Sequence, residues 1–133
     1  MAHRAAAFAP SRPGYRERRL HVVTYDRPGY GVSTRQPHRA VADAAADVAA
    51  IADSVGWSRF AVAGVSGGAP HALAVAALLN HRVTRWASIV GAAPINAEGL
   101  DYVDDSACLS RDWGFSLSDI RAPVQLMFAR EAR

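Results

Sequence analysis

Apolar and polar positions change their spacing several times along the chain, and each change marks an element. Leu20 to Tyr25, LHVVTY, is rich in β-formers and predicts a strand. The turn-forming run Asp26 to Gly31, DRPGYG, stops it. Downstream, Val41, Ala44, Ala45, Val48, Ile51, Ala52 and Val55 recur at helical spacing, with Asp43, Asp47 and Asp53 on the other face and Gly56 as a C-terminal stop. Arg59 to Val65, RFAVAGV, is short and almost wholly apolar, the pattern of a strand buried on both faces. Gly67 to Asn80 predicts a second helix with Leu73, Ala76, Ala77 and Asn80 along one side. Arg85 to Gly91 and Ala122 to Phe128 predict two more strands. Between them, residues 95–118 show no clear period and read as a connection with one short helix.

Strands alternating with helices imply right-handed crossovers and a parallel sheet. The expected fold is α/β, with about four mostly parallel strands and flanking helices. The 133 residues suit one domain, 1–133, with 1–19 leading into the first strand as a short helix or loop. No internal repeat or low-complexity linker interrupts it.

Composition narrows the picture in a few places. Half of the residues are apolar, which argues against disorder, and the apolar runs are too short for a membrane span. The single cysteine, Cys108, excludes an internal disulfide framework and fits a reducing, cytoplasmic interior. The net charge of +3 comes entirely from arginine, since the chain has no lysine. A bias that complete reads as the coding composition of a GC-rich genome, so the basic character, including Arg4, Arg12, Arg16, Arg18 and Arg19, is a poor argument for nucleic-acid binding. The Arg- and Ala-rich N-terminus also admits a transit peptide, but has no unbroken apolar core of a secretory signal.

The chemistry centres on Gly64-Val65-Ser66-Gly67-Gly68, a G-x-S-x-G pattern between a predicted strand and a predicted helix. A serine at such a reversal adopts a strained backbone, so that its Oγ projects above the sheet. Side chains two residues before and after would collide there, which calls for glycine at both places. The N–H of Gly67 would face a substrate carbonyl oxygen, helped by the helix N-terminus. A P-loop is excluded because it needs lysine. A dinucleotide fingerprint is excluded because no acid occurs between Asp53 and Glu98. No cofactor and no metal are expected, Cys108 having no partners at ligand spacing.

The segments VVTYDRPGYGVS, AADVAAIADSVG, FAVAGVSGGAPHALAVAA, IVGAAP and DWGFSLSDIRAPVQLMF together resemble the α/β-hydrolase superfamily, most closely its bacterial, cap-bearing esterase-like members. The resemblance runs from about residue 8 to 128. It implies an incomplete α/β-hydrolase core, with Ser66 as nucleophile, Gly67 N–H as one oxyanion donor, and a small-molecule ester or similar acyl substrate. Residues 95–118 would be the remnant of the cap. Some hydrolases of this fold take their acid from the region after the sixth strand, where Asp101 makes a possible third triad member. In the place where the family often carries its acid, Phe128 to Arg133, the acidic residue is Glu131, one step off.

The family's base follows the acid, whereas the histidines here are His3, His21, His38, His71 and His81. His71, five residues after Ser66, takes a packing position on the helix; His38, after the DRPGYG loop, is the better outsider for a base. The family's third strand and its His-Gly loop would precede this chain. Their absence would leave strands 20–25 and 59–65 either paired directly or flanking an empty slot, with strand edges open to self-association. Two functional expectations follow: a serine hydrolase or a piece of one, and a catalytically inactive remnant or binding module.

Overall fold

The computed structural model describes residues 6–8, 13–90, 108 and 111–128. They fall into two compact units, Met1–Pro37 and His38–Arg133. In the first, strand β1 (Ala6–Phe8) pairs antiparallel with β2 (Thr24–Asp26), Ala6 opposite Asp26, and helix α1 (Pro13–Glu17) lies between them in the chain. The strand expected over 20–25 therefore forms only at its end, because the three residues of β1 give it no longer a ladder to join. β1 itself was not expected: three small or apolar residues carry no period.

The loop after β2 is tightly closed. Tyr30 N–H donates to the Arg27 carbonyl at 2.8 Å, Ser33 N–H to the Tyr30 carbonyl at 2.9 Å, and Ser33 Oγ to the Asp26 carbonyl at 2.6 Å. The Arg27 guanidinium sits 5.0 Å from the Tyr30 ring centroid. Gly29 and Gly31 hold the left-handed backbone, with φ of 91° and 53°.

In the second unit, a 3₁₀ turn (Val41–Asp43) leads into α2 (Ala44–Ser54). The Asp43 carboxylate accepts the Ala40 N–H at 2.8 Å, satisfying one donor of the helix start. Val41, Ala44, Ala45 and Ala52 are buried as their spacing predicts. Val55 is not: it lies past the end of the helix, beside Gly56 at φ 74°, and is 43% exposed. The acidic face also divides. Asp53 is exposed and pairs with Arg82 at 2.9 Å, but Asp47 is nearly buried, 3.7 Å from the buried Arg39 guanidinium.

Three parallel strands form the sheet of this unit, in the order β3 (Phe60–Val65), β4 (Val83–Val90), β5 (Val124–Phe128). Val62 lies opposite Trp86 and Val65 opposite Ile89. Helix α3 (Ala69–Leu78) crosses from β3 to β4. Ala72, Val75 and Ala76 of α3 meet Trp86, Val83 and Ala44 in one core cluster, with Val62, Val48 and Ile120 packed on it. More of α3 is buried than the one side its sequence suggests, since it lies between the sheet, α2 and a second cluster of Val41, Ala74 and Cys108. Cys108 is thus 1% exposed and part of a core, with Trp113 and Phe115 against the cluster.

β3 departs from its expected double burial. Gly64 is buried, whereas Ala61, Ala63 and Val65 are exposed, Val65 at 59%, and Ile89 beside it on β4 is 39% exposed. Both α2 and α3 pack on the Val62–Trp86 side, so among the described residues the alternate face of β3 carries no helix. β3 is also an edge strand of the described sheet, in which it pairs with β4.

Candidate active site

The site is built from the turn that leaves β3. Val65 is still extended, at φ −115° and ψ 134°; Ser66 then turns to φ 51°, and a 3₁₀ turn (Ser66–Gly68) feeds α3. A left-handed conformation costs a residue with a Cβ roughly 1–2 kcal/mol, so the fold holds Ser66 there against its own preference. The Ala69 N–H donates to the Ser66 carbonyl, which fixes the plane of the Ser66–Gly67 peptide. That plane carries the Gly67 N–H. Ser66 is half-buried, and the first turn of α3 carries no carboxylate that would oppose a negative charge there.

The two glycines that flank the serine have different reasons to be there. At Gly64 an added Cβ would strike the Gly68 carbonyl oxygen and come within 2.6 Å of its carbon and 2.7 Å of Ala69 Cα. These are backbone atoms of the turn and of α3, so they cannot rotate away. At Gly68 an added Cβ meets nothing within 4 Å, and φ is an ordinary −78°. The expectation that both positions exclude side chains therefore holds for Gly64 and fails for Gly68, because the turn brings its own backbone over the strand and leaves its outer corner open.

The histidines are spread out. His71 is 3% exposed in α3, and its Nδ1 lies 3.0 Å from the Gly67 carbonyl oxygen. His21, His38 and His81 are exposed, and His38 sits in a turn at φ 64°. Among the described residues no histidine hydrogen-bonds the Ser66 hydroxyl. Asp101, Glu131 and His3 lie outside the described residues. Asp26 has a structural setting: its carboxylate lies against Gly31, and its carbonyl takes the Ser33 hydroxyl. Trp86 is buried in the sheet core, and Trp113 stacks with Phe115 at 6.0 Å between centroids, both as packing residues. No group of three His, Cys, Asp or Glu among the described residues could hold a metal ion, and no described helix is long and apolar enough to cross a membrane. The link that sequence reasoning missed is the one from His71 to Gly67. Its signal was Pro70, which has no N–H to offer the carbonyls of the turn.

The described sheet of the second unit is parallel, and its first strand runs through a left-handed serine into a helix. The family is shown by a family model, the alpha/beta hydrolase fold, which matches residues 6–120; the chain belongs to that family. The match runs through both compact units. Among solved structures, the chain is similar to the crystal structure of a hypothetical protein from Pseudomonas aeruginosa PAO1, at 34% identity and a TM-score of 0.49. That match covers 60% of this chain and 29% of the other, so the chain spans under a third of that protein's length. No curated protein matches the chain.

Proposed function

We propose that the chain carries the nucleophile segment of a serine hydrolase acting on ester or similar acyl bonds of a small molecule. The observation that carries this reading is Ser66 at φ 51°, between β3 and α3, over a Gly64 that admits no side chain. The loop after β2 puts glycine at its left-handed positions, whereas the elbow puts a serine there, at the junction of a strand and a helix. In this reading Ser66 Oγ attacks the carbonyl carbon, and the Gly67 N–H stabilises the oxyanion that forms. The bond from the carbonyl carbon to the leaving group breaks, the leaving group departs with the proton given up by the serine, and water then cleaves the acyl-serine ester to release the acid and restore the Ser66 hydroxyl. Asp101 is the proposed acid, the base is unassigned, and the cytoplasm is the proposed compartment.

A second reading, an inactive remnant or binding module of the same descent, is favoured by one observation. No described histidine bonds the Ser66 hydroxyl, and serine without a base is a weak nucleophile. A fluorophosphonate probe separates the two. The hydrolase reading expects labelling of Ser66 that Ser66→Ala abolishes, together with ester turnover lost in the same variant. Equal labelling of the two proteins, or none in either, leaves the remnant.

A further inference from the structure

Pro70, in the first turn of α3, brings no N–H: it is missing as the fourth-residue donor to the Ser66 carbonyl and as the third-residue donor to the Gly67 carbonyl, for which the backbone N–H of His71 remains the ordinary fourth-residue donor. The Ser66 carbonyl resolves this by taking the Ala69 N–H. At Gly67 a side chain contributes: His71, four residues on, points back along the helix as helical side chains do, and its Nδ1 reaches the Gly67 carbonyl at 3.0 Å. A carbonyl only accepts, so Nδ1 carries the proton. His71 is 3% exposed, which keeps water from competing for that bond.

We propose that His71 is a positioning residue for the Ser66 site, acting through Gly67 rather than on substrate. Gly67 and Gly68 are the two most permissive residues the turn could hold, and Gly67 joins two peptide planes. One plane carries the Gly67 N–H, held through the Ser66 carbonyl by Ala69. The other carries the Gly67 carbonyl, held by His71. With both planes pinned, the oxyanion donor is set before substrate arrives, which is where such a donor gains its effect. The inference rests on the reading of Ser66 as a nucleophile.

The test uses the whole chain with His71→Leu, which keeps the bulk and removes the donor, and His71→Asn, whose side-chain amide can still donate to the same carbonyl. The rate of fluorophosphonate labelling at Ser66 is expected to fall at least about tenfold in His71→Leu, and His71→Asn is expected to recover most of it at a similar urea midpoint. Nitrogen-15 NMR of the unmodified chain should place the ring proton on Nδ1. A proton on Nε2, an unchanged rate in His71→Leu, or an equal loss in both variants overturns the positioning role. If the unmodified chain is not labelled at all, the nucleophile reading falls and the positioning role falls with it. Labelling that His71→Leu leaves untouched removes the positioning role alone.

Discussion

Among the described residues, the turns that leave β2 and β3 assign their left-handed residues differently. After β2 the left-handed positions are Gly29 and Gly31, where that backbone costs almost nothing. After β3 the left-handed position is Ser66, and the glycines stand on either side of it at ordinary φ or in the strand. In the first turn glycine supplies conformation. In the second, Gly64 supplies space, and the conformation is imposed on a residue that resists it. Arg19 and His38 also hold a positive φ, at 53° and 64°, so what sets the elbow apart is the combination of a left-handed serine with a glycine beneath it that has no room for a side chain.

Substitutions at Gly64, Gly31, Ser66 and Gly68 sharpen or break this comparison. The largest effect is expected at Gly64. Gly64→Ala drives a methyl group into the backbone of Gly68 and Ala69, and should lower stability by about 2–3 kcal/mol in urea unfolding. A near-neutral result would mean that the approach of the turn to the strand is loose. Next comes Gly31→Ala, where left-handed strain combines with contact on the Asp26 carboxylate. About 1–2 kcal/mol is expected, and part of it should return in the double variant with Asp26→Ala, since a side chain, unlike a backbone, can be removed.

Ser66 runs the other way. Ser66→Gly should be about 1 kcal/mol more stable than Ser66→Ala, because it relieves the positive φ that alanine keeps. Equal midpoints would remove the claim of strain at the elbow. The smallest effect belongs to Gly68→Ala. With open space around it and a helical φ, it should be neutral or stabilising by about half a kcal/mol. A loss comparable to that of Gly64→Ala would restore the symmetric view in which both flanking glycines are sterically required.

The legible parts of the fold were those where local pattern and tertiary setting agree. α2 was visible in its alanine and valine spacing, and the elbow in Gly64, Ser66 and Gly67, because a strand–turn–helix reversal makes demands on the backbone that only a few residues meet. β1 was not visible, since a three-residue strand is defined by the partner it pairs with. Asp47 looked like a surface acid by its helical position, yet Arg39, brought from before the helix, draws it into a nearly buried pair. Cys108 lies in a stretch of sequence with no clear period and is buried by its neighbours in space, Val41 and Ala74.

The sequence by itself determined the α/β order of the elements, the placing of Ser66 between a strand and a helix, and the family resemblance that the match over 6–120 bears out. These follow from periodicity and from short motifs, which are properties of neighbouring residues. Only the tertiary structure decided which glycine of the elbow is needed for room, which face of β3 is covered, and that a buried histidine reaches the Gly67 carbonyl. Each of those depends on where the backbone of α3 lies relative to β3. That separation of a few ångströms is set by packing, and no spacing along the chain records it.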